Sequence, residues 1–182
     1  MQVPFPELTE LELWSSDVTP PAIPDSFLDG SAPRLQIFDL SGIPFPGLPK
    51  LLLSATQLVD LNLDDIPHSG YISPEAIVAP LSELSSLKSL SLQFRSRQSR
   101  PGWEGPSLPP PKRSSILPAL NKFYFKGVTE YFEELVSRID TPQLDELDIT
   151  YFHQRDFVYP QLVQFINCTP TLRALDEAHI EF

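Results

Sequence analysis

The chain is 182 residues long, room for one domain with a substantial core; its 27 leucines and 21 prolines argue against a helical bundle, because prolines spread along a chain break long helices. With 13 Lys and Arg against 24 Asp and Glu, the formal charge is -11, which speaks against general nucleic-acid or anionic-membrane binding, since both need a basic surface. A single cysteine, Cys168, leaves no internal disulfide or cysteine-built zinc site, and the apolar runs, such as Leu51 to Leu53, do not exceed four residues, far below the ~20 of a membrane span.

The residues from Met1 to Glu7 have neither the basic start nor the apolar stretch of a secretory signal, so an intracellular protein, cytoplasmic or nuclear, is expected. One pattern then recurs: an apolar residue, two others, an apolar residue, one other, an apolar residue. Its first copies are Leu8, Leu11, Leu13 and Leu35, Phe38, Leu40. Residues 47–53 suit a short helix, and Leu58, Leu61, Leu63 form the third copy. Ser73, Pro74 and Glu75 make a helix start, with a serine cap, a proline in the first turn and an early acid; they predict a helix running on to Leu84. Leu87, Leu90 and Leu92 follow. Residues 93–115 then break the phase with Arg95, Arg97, Arg100, Lys112 and Arg113 against Glu104, a net +4, and with five prolines between 101 and 111. This stretch reads as a solvated basic insertion, or as a docking loop or polyproline ligand. Leu120, Phe123, Phe125 precede a helix expected after Thr129, and Leu144, Leu147, Ile149 precede one expected after Tyr159 and Pro160. Leu172 and Leu175 start a seventh copy, whose next apolar residues, Ala178 and Ile180, fall out of phase.

The first positions of successive copies are 27, 23, 29, 33, 24 and 28 residues apart, and Pro6, Pro33, Pro118, Pro142 and Pro170 each stand two residues before one. The series resembles the leucine-rich repeat, with its ~20–29-residue period. The resemblance implies an α/β fold: a curved solenoid of about seven irregular strand-plus-helix repeats, with a parallel sheet on the concave face. Segments such as Pro6-Glu7-Leu8-Thr9-Glu10-Leu11-Glu12-Leu13-Trp14 and Thr169-Pro170-Thr171-Leu172 are most similar to the irregular repeats of fungal F-box/leucine-rich-repeat proteins. Ser16, Ile43, Ile66, Val128 and Phe152 stand where many such repeats place Asn or Cys, so a regular asparagine ladder is absent. No F-box segment precedes the first repeat. The expected organisation is one repeat domain over residues 1–182 with 93–115 as its insertion.

By resemblance, the function is protein–protein interaction, as in the substrate-recognition repeats of an F-box ubiquitin-ligase receptor; a cullin-ligase adaptor would be reached only through the F-box that is absent here. The competing readings are a sensor or scaffold domain with no ubiquitin link and, third, a GTPase activator using Arg95, Arg97 or Arg100. If three anchors per copy point inward, the alternate positions point outward. They form a face that is acidic over the first three copies, basic at Lys122 and Lys126, then acidic again. Trp14, Asp39, Asp60, Asp64, Lys122, Tyr124, Lys126 and Asp148 are its candidate contact residues, for a protein partner carrying a basic segment. Leu61, Leu90 and Leu147 are expected to be buried anchors.

Enzyme chemistry finds no foothold. His68, His153 and His179 lie far apart, Cys168 has no companion, and neither a GxSxG elbow nor a glycine-rich phosphate loop occurs. His153 near Asp156 reads as a solvated pair, and no metal, cofactor or catalytic residue is expected.

Overall fold

Alternating apolar and polar side chains build a strand with one buried face. In the computed structural model of this chain, each of the six complete copies ends in such a strand. The structure describes residues 5, 7–17, 20–96, 115–152, 159–172 and 180–181. The strands are β1 (Glu10–Trp14), β2 (Ile37–Ser41), β3 (Asp60–Ile66), β4 (Ser89–Phe94), β5 (Ser115–Ile116), β6 (Lys122–Gly127), β7 (Ile139–Asp140), β8 (Glu146–Tyr151) and β9 (Ile180–Glu181). Seven of them form one sheet in the order β1-β2-β3-β4-β6-β8-β9, with every pairing parallel. β5 and β7 pair in a separate two-stranded sheet. The α/β class with a mainly parallel sheet is therefore as expected.

The phase of the sequence pattern is the register of the sheet. Leu11, Phe38, Leu61, Leu90, Phe123 and Leu147 are successive partners, and so are Leu13, Leu40, Leu63, Leu92, Phe125 and Ile149. These two columns, with the first Leu of each copy, form the sheet's contribution to the core.

Parallel neighbours need crossover connections, and four of these are helical: α1 (Leu48–Ser54), α2 (Pro74–Leu81), α3 (Thr129–Val136) and α4 (Pro160–Cys168). At α2 the Ser73 hydroxyl accepts from the Ala76 amide at 3.3 Å, with Pro74 in the first turn. The helix stops at Leu81, short of the expected Leu84. Thr129 is itself the first residue of α3, and Val128 holds the cap position without a side-chain bond. The helices also lie in chain order, α1 against α2, α2 against α3 and α3 against α4. Their apolar stripes (Leu48, Leu51 and Leu52; Ile77 and Leu81; Phe132 and Leu135; Leu162 and Phe165) are buried in the same core as the strand anchors. After β1 the chain turns through Phe27–Gly30, where Leu28, Asp29 and Gly30 all have left-handed φ, at 52°, 51° and 66°.

Neighbouring crossovers are also tied through a side chain. Glu133 of α3 accepts from the Gln161 and Leu162 amides at 2.8 and 2.9 Å, satisfying two donors that the first turn of α4 cannot satisfy internally. Replacing Glu133 with alanine is expected to cost about 1–2 kcal/mol, read from the urea midpoint at constant slope. A midpoint equal to that of the parent would show that water caps α4 equally well.

Three expectations are corrected. Leu61 and Leu90 are buried, but Leu147 is only half-buried, because β9 pairs with β8 only at Ile149 and Thr150, beyond it. Leu8, Leu11 and Leu13 are half-buried for the same reason at the other edge. The insertion does not begin at 93: Gln93 and Phe94 complete β4, Phe94 is in the core, and Ser115 belongs to β5. Arg95, counted with the solvated basic insertion, places Nε and Nη2 at 3.0 and 2.8 Å from Asp65 Oδ2. Residues 97–114, His153, Asp156, His179, Leu175 and Ala178 lie outside the described residues. Among those described, no helix is long and apolar enough to cross a membrane.

Candidate partner-binding face

Side chains alternate across a strand, so burying the anchors turns the positions between them to the opposite face of the sheet. Register aligns them in rows. The first holds Glu10, Ile37, Asp60, Ser89, Lys122 and Glu146; the second holds Glu12, Asp39, Asn62, Ser91, Tyr124 and Asp148. A third runs from Trp14 through Ser41 to Asp64 and, across a break, from Gln93 through Lys126 to Thr150. The break is a β-bulge between Leu63 and Ile66, where Asp65 has φ 51° and the register slips. With strands about 4.8 Å apart, the rows make one continuous surface. All eight residues singled out from the sequence lie on it.

Their environments differ. Trp14 is 76% exposed, on the edge strand. Lys122, Lys126 and Asp148 are exposed, whereas Asp39, Asp60, Asp64 and Tyr124 are half-buried. Asn62 donates its amide to Asp39 Oδ2 at 2.9 Å, which orients that carboxylate. Ser91, expected outward, is only 7% exposed: it is the smallest side chain of its row, flanked by Asn62 and Tyr124, and Gln93 donates to its hydroxyl at 3.1 Å.

The expected basic stretch is partly neutralised. Lys122 Nζ lies 2.8 Å from Glu146 Oε2, and the Tyr124 hydroxyl donates to Glu146 Oε1. The lysine and then the phenol hold the Glu146 carboxyl below the usual carboxylate range. In return, the bond to Glu146 raises both the Lys122 ammonium and the Tyr124 phenol. Tyr124 is therefore a braced, half-buried ring and not the freely exposed aromatic that was expected. Parity along the strand places Glu146 on this face; what sequence reasoning missed is its pairing with Lys122 and Tyr124, whose signal was the opposite charge of Lys122 at the same position of the adjacent copy.

A group whose folded pKa is depressed adds stability that is present above its unfolded value, about 4.3, and lost as pH falls through the folded one. The stability difference between the parent and Glu146→Gln is thus expected to be present at neutral pH and to fade on acidification. It should be below about 1 kcal/mol, because the pair is solvent-screened. An NMR titration should place the Glu146 midpoint below the usual range and move it up in Lys122→Ala. A midpoint unmoved by that substitution would remove the ion pair as the cause.

Among the described residues no group of His, Cys, Asp and Glu is arranged to hold a metal ion. Comparison with protein-family models, with curated proteins and with solved structures returns no match for this chain.

Proposed function

We propose that this chain is a protein–protein interaction module of the leucine-rich-repeat kind, a curved solenoid whose exposed sheet face is its recognition surface. The observation that carries this reading is the coincidence of pattern phase and strand register. Equivalent positions of successive copies are sheet partners from β1 through β8, so each copy adds one strand to a single continuous surface. Stacked units of this kind bury their apolar faces only against one another, leaving the alternate positions for a ligand. In this reading the module selects a protein for an F-box-type ubiquitin ligase, the role implied by the repeat starts at Pro6 and Thr169.

The test compares the parent with Asp39→Lys, Asp60→Lys and Asp64→Lys combined, each used to purify partners from the source cells. The proposal expects one protein to be retained by the parent and lost by the variant, with slower association and a weaker salt dependence. Equal retention would move the recognition surface off the sheet face. The ubiquitin link is tested separately, by whether cullin-ligase components accompany the native protein; their absence would leave a scaffold or sensor.

A further inference from the structure

Charge is unevenly divided over the sheet face. The strands β1, β2 and β3 present Glu10, Glu12, Asp39, Asp60 and Asp64 and no cation, while both lysines of the face stand on β6. One of these, Lys122, is held by Glu146 at 2.8 Å. The same three strands carry the face's exposed large apolar side chains, Trp14 at 76% and Ile37 at 39%. A face serving only solubility would explain the carboxylates, because solvated acids cost nothing in water. Trp14 and Ile37, at opposite ends of β1 and β2, add apolar contact area beside these carboxylates, and an exposed indole with an acidic surround suits a cationic, partly apolar ligand.

Resting on the recognition-surface reading above, we propose that the β1–β3 part of the face docks a protein segment in which arginines alternate with apolar residues. Ionised carboxylates only accept hydrogen bonds, and Asn62 fixes one of them, Asp39, in place. A guanidinium matches such acceptors with a planar fork of donors and also stacks on an indole. Trp14 and Asp64 lie in one row, two strands apart, about 10 Å across the sheet, so one extended segment reaches both. The β6–β8 part, with its own ion pair already formed, is the rim.

The probes are two synthetic peptides of equal charge, one alternating arginine with leucine and one alternating arginine with serine. They are titrated into the isotopically labelled full chain and followed by amide NMR. The proposal expects saturable binding of the leucine peptide, with shifts concentrated at Ile37, Asp39 and residues 60–64. The serine peptide should bind about tenfold more weakly, and Trp14→Ala should erase that difference. Asp39→Asn, Asp60→Asn and Asp64→Asn combined, which keep shape and avoid like-charge strain, should abolish both. Shifts centred on Lys126, Asp148 and Thr150 would overturn the assignment to β1–β3 and leave the sheet face as recognition surface. Shifts on the helices alone, or equal binding of the two peptides regardless of Trp14, would overturn the docking proposal. In the first of those cases the recognition-surface reading falls with it.

Discussion

Replacing Phe125 with alanine is expected to destabilise the chain by about 3–5 kcal/mol, the largest loss from any single truncation considered. Phe125 is 2% exposed and sits where strand anchors and helix anchors meet. Its ring centroid is 4.8 Å from Phe132 and 5.9 Å from Tyr131, both on α3, and 6.3 and 6.4 Å from Phe94 and Tyr151 on the flanking strands. Each such ring pair adds about 0.5–1.5 kcal/mol beyond the area buried, and the void left by truncation is bounded by rigid rings that cannot collapse into it. Leu61→Ala and Leu90→Ala should follow at about 2–5 kcal/mol, and Leu147→Ala, half-exposed, should cost least. Denaturant unfolding of the four variants checks the order. Equal losses at Leu147 and Leu90 would mean that the outer edge of β8 is covered as fully as the centre of the sheet.

Gly42→Ala is expected to cost about 2–4 kcal/mol although only a methyl is added. Gly42 follows β2 with φ 73°, and a Cβ there would lie 2.3 Å from the Ser15 carbonyl oxygen and 3.1 Å from Arg95 Nη2. Neither can yield cheaply. Ser15 donates its own amide to Ser41 at 3.0 Å, and Gly42 donates to the Asp64 carbonyl at 3.0 Å, so the backbone just past the strand ends is bonded across three strands. Arg95 is meanwhile held by Asp65. The methyl must push the end of β1 aside, and Trp14 with it. Gly30, at φ 66°, provides the contrast. A Cβ there meets only the flexible Lys50 side chain, so Gly30→Ala should lose no more than about 1–2 kcal/mol. Thermal melts that place Gly30→Ala below Gly42→Ala would contradict this account of the β1–β2 junction.

The sheet was legible in the chain because its information is local and repeated. Six copies of the same three-anchor spacing say where each strand is and, through their phase, which residue pairs with which. Ser73 with Pro74, and Pro160 after Tyr159, marked helix starts for equally local reasons. What was not legible depends on contacts between distant copies or on backbone that opposes residue preference. Leu28 and Asp29 adopt left-handed φ, which neither residue type announces. Asp65 does the same at the bulge, where Arg95, 30 residues on, donates from two nitrogens to its Oδ2. Glu133 is one of several acids on α3, and only its reach to an amide 28 residues away makes it a cap. For the candidate site, parity along each strand was enough to say which side chains share a face. It could not say that Glu146 would engage Lys122 and Tyr124, or that its neighbours would cover Ser91.

If the exposed sheet face, and not the helical side, meets the partner, crosslinkers on the two sides will behave oppositely. The decisive measurement is photo-crosslinking, with a benzophenone side chain placed singly at Asp39, Asp60 or Asp148 on the sheet face and at Leu53 or Val163 on the helices, both of which are exposed. The sheet-face positions are expected to capture one and the same protein from the source cells, capture from Asp39 to be lost when Asp60→Lys and Asp64→Lys are added, and Leu53 and Val163 to capture nothing. Capture of a partner from Leu53 or Val163 with the sheet-face positions silent would place recognition on the helical side instead.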